Sequence, residues 1–399
     1  MSSVPHALPA STKYFPALTG IRAVAAFMVV LFHFNPLVYV NQQNIAVRWL
    51  NYFIQQLHVG VPIFFVLSGF LITYRYINTV ELSERWIKQY LWNRFTRIYP
   101  MYFILTAITF LLLEYMPAGN AGAWQTTDFS WKDKAVTILL NITLLKAFFK
   151  TLLTSGIPTA WSLTVEESFY ILAPLLLNRV RQNMIYIIIF PVVFLLAGTL
   201  LVFLASLSPY FLYGFMKSMN LMLRFTFFGR CVEFMCGMGL AVYIVRNQPI
   251  LTNRLQFTII GVAGVICCIV ALAIIKSTHI PTTSWPTSEW SILVQNFVLP
   301  LFVALLFYGI LTEKSSVANI LKTNIFILLG KSSYVLYLLH IGPIDNFFAY
   351  AVSQSSIIRI AFYYAASIFI FKFIEEPILI KLRNQLNWNA ITLMQLQDN

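Results

Sequence analysis

The chain has 399 residues, 59% of them hydrophobic and only 10% charged. A soluble domain carries about 25% charged residues, so that class is excluded. The net charge of +13 would suit nucleic acid, yet the basic residues sit in short segments between long apolar runs, the distribution that orients a chain in a membrane. The composition therefore reads as an all-α integral membrane protein with no nucleic-acid partner. Cys231, Cys236, Cys267 and Cys268 lie inside apolar runs, without paired spacing or nearby histidines, which argues for buried thiols and against zinc or a disulfide framework.

Residues 1–16 form a short N-terminal segment without the apolar stretch and cleavage site of a removed signal peptide. The first apolar run, 17–34, is interrupted by Arg22 and His33. Their spacing returns a helix to within about 20° of its starting direction, so both side chains share one face, about 16 Å apart. An arginine in mid-membrane costs about 2.5–3.5 kcal/mol, so that face should look into protein or a wet cavity. Further runs of spanning length begin near Val59, Thr96, Trp161, Met184, Arg224, Gln256, Ser291, Asn324 and Ile357, which makes about ten transmembrane helices. Residues 78–93 read as an amphipathic cytoplasmic connection. Residues 116–160 read as a long external excursion, within which 135–149, flanked by lysines, is either a span or a short interfacial or re-entrant helix. If 135–149 does not cross, most Lys and Arg outside the spans fall on the side of the N-terminus, which places both chain ends in the cytoplasm. Repeats and linkers are absent, so 17–378 is one transmembrane domain and 379–399 a cytoplasmic tail.

Counting about 1.5 Å per residue from each expected membrane edge puts His33, Glu166 and His340 about 22–24 Å above the cytoplasmic edge. Three groups able to move protons thus share one level, while Arg22 falls near the level of Arg94 and Arg97. The pattern fits an anionic ligand entering from the cytoplasm and a reaction nearer the outer side. Plainer readings stay open: Arg22 can snorkel, Arg94 and Arg97 can anchor the chain, and Glu166 or Glu167 can serve a helix start. Ser333, Tyr337 and His340, spaced i, i+4, i+7, can be glue between helices. His58, Arg230, Glu233, Lys331 and Glu375 are read as packing or interface partners.

Six stretches in order carry a resemblance: Leu18-Thr-Gly-Ile-Arg22 with His33; Gly60-Val-Pro-Ile-Phe-Phe-Val-Leu-Ser68-Gly; Arg94-Phe-Thr-Arg97-Ile-Tyr-Pro100; Trp161-Ser-Leu-Thr-Val-Glu166-Glu-Ser-Phe-Tyr170; Leu329-Gly-Lys-Ser-Ser-Tyr334-Val-Leu-Tyr337-Leu-Leu-His340; and Ile374-Glu375-Glu-Pro377. In these the chain resembles the membrane-bound acyltransferase-3 family. The resemblance implies a ten-helix core that moves an acetyl or other acyl group from cytoplasmic acyl-coenzyme A to a hydroxyl, most often on an extracytoplasmic glycan. It implies a multi-pass protein of the bacterial inner membrane, working with membrane lipids and with polysaccharide-assembly proteins as partners. By the same resemblance His33 is the catalytic residue and Glu166 supports it, while Arg22, Arg94 and Arg97 serve the coenzyme. Ser68 is grouped with the donor site, and Tyr170, Ser333, Tyr337 and His340 with an acceptor or supporting site; acetyl-CoA is the co-substrate and no metal is expected. Pro62 stands where many members have aspartate, and Lys372 and Glu376 differ from the usual basic residues. The chain ends soon after its last run, as expected of the stand-alone form without a fused hydrolase-like domain.

The expected mechanism has Arg94, Arg97 and Arg22 pairing with coenzyme phosphates through guanidinium forks. His33 acts as general base on the acceptor hydroxyl, with Glu166 orienting it, and an acyl-histidine intermediate stays open. Lipopolysaccharide O-antigen, another surface polysaccharide, peptidoglycan and a lipid-linked sugar are all open as acceptors. Trp124, Trp131 and Trp161 suit either sugar stacking or a membrane interface. The alternative from another class is a proton-coupled secondary transporter of a sugar or organic anion, against which stands the lack of an inverted repeat. A third reading, an assembly subunit without catalysis, leaves the intramembrane His, Glu and Arg set without a use.

Overall fold

Helix-forming apolar stretches dominate the chain, and among the described residues they fold as sixteen α-helices without a strand. The computed structural model describes residues 14–382 apart from 39, 41–42, 117–121, 127–128, 208–211 and 279–287, so most of the expected segments 1–16 and 379–399 lies outside the described residues. α1 (Pro16–His33) opens on a proline, whose missing N–H a first turn does not need. α2 (Ile45–Ile54) is capped by Asn44, whose side chain accepts from the Ala46 and Val47 amides. α3 (Gly60–Tyr76) follows, and then α4 (Glu84–Tyr115), capped by Ser83. The expectation of a separate amphipathic connection before a span near Thr96 is corrected here. Residues 84–99 hold no glycine and many good helix formers, so they continue into the span as one 32-residue helix that carries Arg94 and Arg97.

α5 (Trp131–Ile142) has 12 residues and is about 18 Å long, too short to cross. Of the two readings of 135–149, the structure gives the one that does not span. The remaining helices are α6 (Trp161–Gln182), α7 (Tyr186–Ser206), α8 (Met219–Phe225), α9 (Phe227–Asn247), α10 (Gln256–Thr278), α11 (Glu289–Leu293), α12 (Leu299–Thr312), α13 (Ser316–Leu321), α14 (Asn324–Leu339), α15 (Pro343–Ala351) and α16 (Ser356–Ile370). Among the described residues eight helical segments are long and apolar enough to cross a membrane, and α14 with α15, bent by 84°, passes the same test only when the pair is taken together. α6 has the length, about 33 Å, but carries Glu166, Glu167, Arg179 and Arg181, and it packs against α3, α4 and α9. The protein is an all-α integral membrane protein.

α1 packs between α3 and α14, and α3 packs against α9. Glycine sets two close approaches between backbones. A Cβ at Gly237 of α9 would overlap the Val66 carbonyl of α3, and one at Gly330 of α14 would overlap the Thr19 carbonyl of α1. The second approach joins the helix that carries Arg22 and His33 to the one that leads into His340. By contrast α7 buries only Gly198 and Ala205 and exposes Ile188, Leu196 and Phe203, as a lipid-facing helix should.

Arg230 and Glu233, both on α9, form a fully buried ion pair at 2.8 Å. Arg230 Nη1 also donates to Asn296 Oδ1 at 2.8 Å, and Asn296 Nδ2 donates to the Leu223 and Gly229 carbonyls. This network ties α9 to the π-helical turn Val294–Val298. Removing one partner strands a buried charge, so Glu233→Ala should lower stability by about 3–5 kcal/mol. Thermal unfolding in detergent checks this; an unchanged midpoint would show that the pair is not needed for stability.

Candidate active site

His33 ends α1 beside a cavity of about 740 Å³, whose walls also include His58, Trp161, Arg224, Arg230 and Tyr337. Behind it lies His340, fully buried at the end of α14. His340 Nδ1 is 3.1 Å from the Leu336 carbonyl, and His340 Nε2 is 3.0 Å from His33 Nδ1. A carbonyl only accepts, so His340 Nδ1 carries the proton and, with both rings neutral, His340 Nε2 accepts from His33 Nδ1–H. That assignment leaves the lone pair on His33 Nε2. The bend that ends α14 makes this contact available: Gly342 has φ +103°, a left-handed value that suits glycine, and Pro343 begins α15.

Tyr337 separates this cavity from a second one of about 50 Å³, lined among others by Arg22, Ser162, Glu166, Ser333 and Tyr334. Tyr337 and Val61 line both. The Tyr337 hydroxyl donates to Ser162 Oγ at 2.9 Å, and its ring meets Phe64 edge-on. Arg22 Nε donates to Ser333 Oγ at 3.3 Å. Glu166 accepts from the Ser68 hydroxyl at 3.0 Å and from the Tyr170 hydroxyl at 3.2 Å.

Glu166 was expected at the level of His33 as the group that orients it; the partner of His33 Nδ1 is instead His340. The reason is where α6 begins. Counting depth from Trp161 assumes that Trp161 marks the membrane edge, but Trp161 is buried in the wall of the His33 cavity. Glu166, five residues further along the helix, therefore lies about 7.5 Å beyond that wall, toward Arg22. The Pro158–Ala160 turn pins this start, since Thr159 Oγ1 donates to the Tyr337 carbonyl at 2.9 Å.

Beyond the small cavity stand the two arginines of α4. The Arg94 guanidinium lies about 6 Å from the rings of Tyr76, Tyr90 and Tyr170, an aromatic surround that holds a cation in place. Arg97 is near enough to Arg22, Glu166 and Glu375 for their charges to interact. Ser68, Tyr170, Ser333, Arg22, Arg94, Arg97 and Glu166 thus form one group on the far side of Tyr337 from His33. The arrangement separates a cationic end from a histidine pair, with Val61 and Tyr337 in the wall between their two cavities.

Residues 15–374 match the family model described as "Acyltransferase domain", which is most of the chain. The chain belongs to the acyltransferase-3 family. It is similar to the peptidoglycan O-acetyltransferase OatA of Listeria monocytogenes, at 27% identity over 168 residues, covering 41% of this chain and 24% of OatA. The O-acetyltransferase OatA of Staphylococcus aureus is 26% identical over 211 residues, 48% of this chain and 30% of that protein. A further Staphylococcus aureus protein, named as a candidate O-acetyltransferase, is 23% identical over 414 residues, 96% of this chain and 60% of its own length. The chain therefore spans 24–60% of the length of these curated relatives. No solved structure matches it.

Several residues of this acyltransferase-3 site were not singled out from sequence. Arg224 and Lys276 look like membrane-edge cations in the chain, and only the fold turns them toward one cavity with His33. Arg230, read as a packing residue, also lines that cavity. Lys146, in the connection between α5 and α6, is fully buried and donates to the Ser155 and Ile157 carbonyls at 2.6 and 2.5 Å. It thereby fixes the chain leading to Pro158 and Trp161, the wall beside His33.

Burial pulls the Lys146 ammonium down to about 7. Between that value and the ordinary lysine range the unfolded chain binds a proton that the folded chain does not, so this residue makes stability rise as pH rises through that window. Wild-type protein should gain melting temperature between pH 7 and pH 9.5 relative to Lys146→Met, compared in detergent. Parallel profiles for the two proteins would contradict the assignment.

Proposed function

We propose that the protein is a membrane-bound O-acetyltransferase that takes acetyl from acetyl-CoA in the cytoplasm and delivers it to a hydroxyl of an extracytoplasmic glycan. The observation that carries this reading is the histidine pair: His33, its Nδ1 bonded to His340, faces a cavity large enough for a sugar, while the cationic group lies beyond Tyr337. Family membership and the names of the O-acetyltransferase relatives support it. Most Lys and Arg outside the spans fall on the side of the α1 start, which supports a cytoplasmic position for that end and for Arg94 and Arg97.

In this reading Arg94, Arg97 and Arg22 bind the coenzyme phosphates, since guanidinium forks match phosphate oxygens and Arg94 is already held by three tyrosines. The pantetheine arm passes Glu166, Ser68 and Ser333, then the Tyr337–Phe64 constriction. Arg22 and His33 lie about 16 Å apart along α1, a separation that an extended arm can bridge. At the end of that path His33 Nε2 takes the proton of the acceptor hydroxyl as its oxygen bonds to the thioester carbonyl carbon. The tetrahedral intermediate expels coenzyme A as the C–S bond breaks. His33 then returns the proton to the sulfur, leaving an O-acetyl ester and free thiol. Glu166 balances the charge of Arg22 and Arg97 along the donor path.

The test is thioester chemistry. Membranes containing the protein, given acetyl-CoA labelled in the acetyl group, should release free coenzyme thiol and place label in a glycan fraction. A proton-coupled transporter would leave the thioester intact.

A further inference from the structure

The cavity beside His33 is charged, and this bears on the acceptor; the argument rests on the acetyl-transfer reading above. Arg224, Arg230 and Lys276 all line it, and no aspartate or glutamate does among the described residues. Arg230 is neutralised by Glu233. Arg224 is not: its side chain is 8% exposed, and Nε and Nη2 are buried without a hydrogen-bond partner. None of the four ion pairs among the described residues involves Arg224 or Lys276.

A guanidinium shut away from water without a counter-charge is unfavourable, and an arginine that only marked a membrane edge would reach outward to the interface. Arg224 instead faces the space where the acceptor must sit. The donor does not answer for it. The coenzyme phosphates are held at the opposite end, and the acetyl thioester that reaches His33 is uncharged. The missing negative charge has to arrive with the acceptor.

We propose that the acceptor is anionic: a glycan carrying an oxyanion, phosphate or carboxylate, close to the hydroxyl that receives acetyl, with Arg224 and Lys276 as its counter-charges. Arg224 lines the cavity, and its Nε and Nη2 lack hydrogen-bond partners, so its guanidinium has donors to give to such a group. A neutral sugar would leave both cations unpaired. The oxyanion can belong to the phosphate by which a glycan is linked to a lipid or to an acidic sugar within the glycan.

The experiment is calorimetric titration of the full chain in phosphatidylcholine nanodiscs, where no net lipid charge competes. The probes are N-acetylglucosamine 1-phosphate, glucuronate and neutral N-acetylglucosamine. At least one acidic probe should bind about tenfold or more tightly than the neutral sugar, a margin of one good charge-assisted contact. Preference for the sugar phosphate assigns the site to the lipid-linkage phosphate, and preference for glucuronate to an acidic sugar. Arg224→Gln and Lys276→Gln should each erase most of the preference, Arg224→Lys should restore part of it, and coenzyme A binding should stay unchanged in all three. Lys276→Gln guards against misfolding of the more buried Arg224 variant. Equal binding of acidic and neutral sugars, or a preference that survives both glutamine variants, overturns the proposal. A clear charge preference in a protein that transfers no acetyl group would remove the transfer reading and leave the anion site standing.

Discussion

Replacing His33 by alanine should lower acetyl transfer by about 10²–10⁴-fold, the range a positioned general base supplies. The expectation follows from the position of the ring. His33 is the histidine whose second nitrogen is left as a lone pair beside the large cavity, because His340 accepts the proton of the first. His340 itself is fully buried and has both nitrogens occupied, and His58 has its two nitrogens near Gln55 and Gln295. Neither neighbour is placed to substitute. Donor affinity should not change, since the arginines proposed to bind the coenzyme lie beyond Tyr337. Acetyl incorporation into glycan, measured beside coenzyme A binding on the same preparation, separates a lost base from a lost fold. Incorporation within a few-fold of wild type in well-folded His33→Ala protein would remove His33 from the chemistry.

His340→Phe should lower turnover by about 10²-fold while leaving the KM for both substrates nearly unchanged. Phenylalanine preserves the ring volume at the end of α14 but takes away the Nε2 acceptor, so His33 Nδ1–H loses the partner that fixes its tautomer and orientation. The proton is then free to sit on Nε2, the nitrogen that must be bare to act. His340 is a positioning residue in this account. A merely structural role predicts a lower melting temperature with turnover per folded molecule preserved. Steady-state kinetics and thermal unfolding on one sample tell the two apart.

Much of this arrangement is legible in the chain. Arg22 and His33 on one helical face, the ten apolar runs that correspond to α1, α3, α4, α6, α7, α9, α10, α12, α14 and α16, and the shared depth of His33 and His340 all follow from periodicity and length. The error over Glu166 comes from a quantity that sequence does not hold, the depth at which a helix starts. Trp161 reads as an interfacial residue because tryptophan is common there, whereas the Pro158–Ala160 turn and Lys146 draw it inward against Tyr337. Likewise 135–149 is apolar enough to suggest a span, but the Ser130–Asp133 capping box starts α5 early and the chain turns at Leu144, whose φ is +54°. The roles of Arg224 and Lys276 were illegible for a different reason. They are 52 residues apart in sequence on α8 and α10, and only packing of those helices around His33 makes one cavity of them.

The most direct measurement of the central claim is sidedness. Protein reconstituted into sealed vesicles in one known orientation, with labelled acetyl-CoA on the face of Arg94 and Arg97 and glycan acceptor enclosed on the face of His33, should yield acetylated glycan on the far side. His33→Ala vesicles should yield none. Label on glycan only when donor and acceptor share one side, or equal labelling by His33→Ala, would contradict the passage of acetyl from the arginine end to the histidine end.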